Sequence, residues 1–109
     1  MSTRQRQSFL LTILALLLLF AAAAHANEPF MLKDINPGGS SSPLSLTNVN
    51  GTLFFAAYDA TNGYELWKSD GTEAGTVMVK DILPGIASSS PYYLTNVNGT
   101  LFFAAYDDT

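Results

Sequence analysis

The acids of this chain stand where turns are written. Asp34, Asp59, Asp70, Asp81 and Asp107 lie at the ends of apolar runs or beside Gly, Asn and Thr. Asp59 followed by Asn62-Gly63, and Asp70 followed by Gly71-Thr72, offer the hard oxygen donors that calcium takes. Neither stretch has the spacing of an EF-hand loop. The simpler reading is that Asp and Asn close turns by bonding their own backbone two residues on. No cofactor is therefore expected, with calcium at Asp59 and Asp70 as the alternative. A glycosidase pair needs two carboxyls roughly 5–10 Å apart in a cleft, whereas acids that recur with a repeat read as structural. The single histidine is His25, and cysteine is absent. Without His or Cys beyond that point, Ser-His-Asp and Cys-His nucleophiles and the usual zinc ligand sets have no material. No catalytic residue is expected.

Binding chemistry rests on aromatic residues. Tyr92-Tyr93 stands in one copy of a repeat where Leu44-Ser45 stands in the other. Tyrosines at a loop–strand edge stack on sugars or anchor a partner; the plainer alternative is a difference in packing. Trp67, beside Leu66, reads as core. Asn50-Gly51-Thr52 and Asn98-Gly99-Thr100 match the glycosylation sequon, but Asn-Gly is also the strongest short-range hairpin signal, and the turn explains both.

These residues are positioned by a duplication. Residues 46–59, Leu-Thr-Asn-Val-Asn-Gly-Thr-Leu-Phe-Phe-Ala-Ala-Tyr-Asp, recur unchanged at 94–107, 48 residues on. Lys33-Asp34-Ile35 recurs as Lys80-Asp81-Ile82, so one residue has been inserted in the loop after Pro84-Gly85. A period near 47 indicates an array of supersecondary units. Within one unit the pattern is strand and turn: strands over 44–49, 52–58, 64–68 and 77–82, a turn at Asn50-Gly51, and breaks at Asn62-Gly63, Asp70-Gly71 and Pro84-Gly85. In Leu53 to Tyr58 both parities are apolar, which demands cover on both faces of the sheet. The expectation is an all-β fold of antiparallel four-stranded meander repeats, propeller-blade-like and incomplete as an array. A flat open β-solenoid of the same meanders is the alternative.

The divisions follow: 1–26 a signal peptide, 27–36 an orphan strand resembling the fourth strand of a unit, 37–83 a first complete repeat, 84–109 a truncated second one. The signal reading rests on Arg4 and Arg6, an apolar run from Phe9 to Phe20, and a small-x-small site at Ala24-His25-Ala26. Secretion, or a cell-surface or periplasmic location, is expected, with no membrane span after cleavage. Beyond residue 26 three lysines face nine carboxylates, more acidic than the −4 of the whole chain. Such a surface excludes nucleic acid, whose phosphates call for clustered Lys and Arg. Apolar faces and open aromatic edges predict that the isolated chain self-associates.

Glu65-Leu66-Trp67-Lys68-Ser69-Asp70-Gly71-Thr72, followed by Gly75-Thr76, resembles the signature of the ELWxxDGT-repeat proteins, secreted or surface-associated bacterial repeat proteins. Val79-Lys80-Asp81-Ile82 and Pro84-Gly85 look like the same family. The resemblance covers nearly all of 30–109 with one full signature, and it implies an exported β-repeat array without established catalytic residues. The functional expectation is a non-enzymatic protein presenting binding loops, for adhesion or contact with an extracellular glycan or protein. The alternative is the N-terminal piece of a propeller enzyme whose active site lies in further blades.

Overall fold

The computed structural model describes residues 27–109. The expected signal cleavage residues, Ala24 and Ala26, lie outside the described residues. Among the described residues no helix is long and apolar enough to cross a membrane.

The described residues are all-β, with a four-stranded antiparallel meander and a two-stranded sheet. The meander runs β1 (Leu44–Val49), β2 (Thr52–Asp59), β3 (Gly63–Ser69) and β4 (Val77–Lys80), neighbours in sequence being neighbours in the sheet. The second sheet is β5 (Tyr92–Val97) with β6 (Thr100–Ala104). The tips of the β1–β2 and β5–β6 hairpins are the Asn-Gly pairs. Asn50 and Gly51 have φ of 52° and 87°, Asn98 and Gly99 51° and 83°, the doubly positive pattern of a type I′ turn that Asn-Gly serves best. Each tip is closed again from below, Gly51 N donating to Asn48 Oδ1 and Gly99 N to Asn96 Oδ1, both at 2.9 Å.

The core sits on β2 and β3, the longest pairing. Phe55 lies opposite Trp67 and Ala57 opposite Glu65. Phe55, Ala57 and Trp67 form a buried cluster, with Ile35, Leu53 and Met78 packed against it. Ala56 and Leu66, paired on the other face, are each buried to 2% exposure. Both faces of this hairpin are thus covered, as two apolar parities require. Trp67 is core, and its indole Nε1 is buried without a hydrogen-bond partner among the described residues, an unmet donor costing roughly 1–3 kcal/mol.

Residues 27–36 form no strand, where an orphan strand was expected over Phe30 to Ile35. A fourth-type strand needs the open edge of a third, and β3 is already flanked by β2 and β4. The segment instead lends Ile35 to the core. Similarly, the fourth strand closes at Lys80 rather than Ile82, because Ile82 turns away into a loop held from the side.

Candidate functional site

Tyr93 is the most conspicuous side chain of the second copy. It is 81% exposed and its φ is 56°, a left-handed conformation that bulky residues rarely hold. The cause is a bulge. Tyr92 pairs with Ala104 and Thr95 with Phe102, leaving Tyr93 and Leu94 opposite one residue. Ser45 makes the same bulge in the first copy with φ 59°. The bulge therefore belongs to the repeat, and the tyrosines are what the second copy adds to it. Tyr92 and Tyr93 rings meet edge-on with centroids 4.9 Å apart, and Tyr106 lies 6.2 Å from Tyr92. The two residues singled out in the sequence are joined by a third, forming an exposed aromatic group.

Asp59 and Asp70 are placed at opposite ends of the β2–β3 hairpin. Asp59 faces Gly63 at one end, while Ser69, next to Asp70, faces Leu53 at the other. Six residue steps of strand separate them, roughly 20 Å, so they cannot share one cation. Each serves its own turn. Asp59 Oδ1 accepts Thr61 N at 2.8 Å and Asn62 N at 2.7 Å, and Asn62 Nδ2 spans both carboxylate oxygens. Asp70 Oδ1 accepts the Thr72 hydroxyl at 2.7 Å and Thr72 N at 2.9 Å. Donation from that hydroxyl, then from the Thr72 amide, holds the Asp70 carboxyl below its ordinary 3.8. Asp107, the copy of Asp59, is held low in the same manner by the hydroxyl and amide of Thr109. Among the described residues no three His, Cys, Asp or Glu side chains gather as a metal would require.

The sequence reading passed over Glu65, which is the most deeply engaged charge described. It is fully buried. Its carboxylate accepts Ile82 N and Ser89 N, each at 3.0 Å, and the Ser89 hydroxyl at 2.6 Å. Next to it Tyr64 N donates to Ser88 Oγ at 2.9 Å, and Ser90 N donates to Tyr64 O at 3.1 Å. One Tyr-Glu dipeptide of β3 thus ties down the loop leading into the second copy. Gly63 permits the approach: with φ 73°, its ideal Cβ would stand 2.7 Å from Ser88 Oγ and 2.9 Å from Ile86 O. The available signal was parity. Glu65 shares its face with Trp67 and stands opposite Ala57, in the middle of the sheet, whereas Lys68 of the same strand reaches water near its end.

The two copies also touch directly. Thr47 Oγ1 donates to Leu94 O at 3.3 Å and Asn96 Nδ2 to Asn48 O at 3.0 Å, across 47 and 48 residues. β1 therefore lies beside β5, equivalent strand beside equivalent strand. No family model, curated protein or solved structure matches this chain.

Proposed function

We propose that this chain is an exported, non-enzymatic β-repeat protein of the ELWxxDGT-repeat kind. Its propeller-blade-like units hold out a loop that contacts an extracellular glycan or protein. The observation that carries this reading is the Tyr92–Tyr93–Tyr106 group: neighbouring rings in edge-on and tilted contact, one of them 81% exposed, on a bulge that fixes its backbone. Rigid aromatic faces beside water are what sugar rings and protein hot spots both use. The unit boundary supports the blade reading, since β1 and β5 lie side by side at the repeat offset. Acidity favours a neutral or basic partner over a polyanion.

Calorimetric titration with a panel of neutral oligosaccharides tests the glycan form. Binding weakened at least about tenfold by Tyr93→Ala, with an unchanged circular dichroism spectrum, is the expected result. Binding that ignores Tyr93→Ala and Tyr92→Ala overturns it. Export predicts a mature N-terminus at Asn27; mass spectrometry finding Met1 or Ser2 on exported protein would remove that part.

A further inference from the structure

The loop that Glu65 grips has a twin. Ile82 and Ser88-Ser89-Ser90-Pro91 correspond to Ile35 and Ser40-Ser41-Ser42-Pro43, with the one-residue insertion between them. The twin already has the same shape. Ser42 has φ 41° and Ser90 47°. Ser41 O accepts Tyr58 N and Ser89 O accepts Tyr106 N, both at 2.8 Å. The bonds facing outward differ. Where Ser88 Oγ and Ser90 N bind the Tyr64 backbone, Ser42 N donates to Ser40 Oγ at 3.1 Å, and the Ser40 and Ser42 hydroxyls bond each other at 2.9 Å. Where Ser89 and Pro91 are buried, Ser41 is half-buried and Pro43 exposed. Beside Ser41 and Pro43 opens a cleft of about 220 Å³, lined also by Lys33, Ile35, Leu46 and Phe55.

We propose that this loop and cleft are a docking surface for an extended strand of the Gly-Tyr-Glu-Leu-Trp type, carried by a partner β-repeat chain. The partner's glutamate accepts from Ile35 N, Ser41 N and the Ser41 hydroxyl, as Glu65 does from Ile82 and Ser89. Its tyrosine backbone replaces the Ser40–Ser42 bonds, and its apolar side chains enter the cleft. Lys33 supplies a positive charge toward the incoming carboxylate, favourable in a chain otherwise acidic. An intact second copy of this chain is a poor supplier, because its Glu65 is already held by its own Ser89; the partner's strand is therefore one with no serine loop of its own after it. The loop already holds the shape of its occupied twin, so little ordering cost falls on its side of the docking. This surface is separate from the tyrosine group and stands or falls independently of it.

A fluorophore-labelled synthetic peptide of residues 62–70, titrated into the full chain and read by anisotropy, tests the proposal. Expected are saturable binding and a loss of about tenfold or more when the peptide carries Glu65→Gln, since hydrogen bonds to a carboxylate are the strong ones. A similar loss is expected for the protein variant Ser41→Ala, and a smaller one for Lys33→Gln. The peptide change needs no refolded protein and so reads the site alone. Binding indifferent to the peptide's glutamate but abolished by Phe103→Lys would assign the peptide to the β6 edge and overturn the proposal. Dimerisation of the chain alone through Ser41, uncompeted by peptide, would make a second copy the occupant and overturn it too.

Discussion

β2 and β6 share the sequence Thr-Leu-Phe-Phe-Ala and meet different fates. In β2, Phe55 is 6% exposed; in β6, its counterpart Phe103 is 38% exposed and Phe102 58%. Both strands start from the same Asn-Gly turn and pair with the same kind of preceding strand through the same bulge. The difference is the neighbour on the far side. β2 has β3, which brings Trp67 opposite Phe55. β6 has β5 alone among the described residues. Local sequence made the hairpin twice, whereas burial came once, from a partner strand some ten residues away. The unit of local structure is the hairpin, and the unit of stability is the hairpin with its third strand.

That contrast is open to measurement. The largest effect belongs to the phenylalanines. Phe55→Ala removes a buried ring from the cluster with Ala57 and Trp67 and is expected to cost about 4 kcal/mol. Phe103→Ala, the same change in the same sequence, is expected to cost less, about 2 kcal/mol, because 38% of that side chain already meets water. Equal losses in denaturant unfolding would mean that β6 is covered as β2 is. Next comes the link between copies. Glu65→Gln places an amide donor against three donors from Ile82 and Ser89 and is expected to cost about 3 kcal/mol. Amide exchange should speed up at Ile82 and Ser89 while β2 stays protected; uniform loss of protection would make the copies one cooperative unit.

The bulges allow a gentler comparison. Tyr93→Gly and Ser45→Gly both relieve a positive φ, and each is expected to stabilise by up to about 1 kcal/mol. A clear loss for Tyr93→Gly alone would give its ring a packing role that 81% exposure does not suggest. The smallest effect is acid sensitivity. Asp70 and Asp107 have carboxyls lowered below 3.8 by Thr72 and Thr109. Their contribution is therefore present above that value and lost as pH falls through the depressed folded value. Both sites are exposed, so Asp70→Asn or Asp107→Asn should flatten the stability profile below about pH 4 only slightly.

Much of this was legible beforehand. The Asn-Gly tips, the start of each strand of the first copy to within a residue, and the two-sided burial of β2 follow from residue type and period. Turn chemistry is local, and apolar parity states directly how many faces need cover. Asp59 and Asp70 as turn-closing residues were legible for the same reason: their partners lie two or three positions away. Glu65 was not, because its partners stand 17 and 24 residues on. Phe30 to Ile35 looked like a strand because it copies the sequence of one, yet no sequence can lend a strand an edge that is already taken.

By itself, then, the sequence determined the class of fold, the period, the turns and the acidity, since each depends on a residue and its near neighbours. Only the tertiary structure decided which of two identical strands is buried, that a glutamate would be sealed beneath a serine loop, and that Tyr106 would join Tyr92 and Tyr93. Those outcomes depend on groups distant in sequence arriving at one place, and a hydrogen bond or a buried ring gains its energy only once they have arrived.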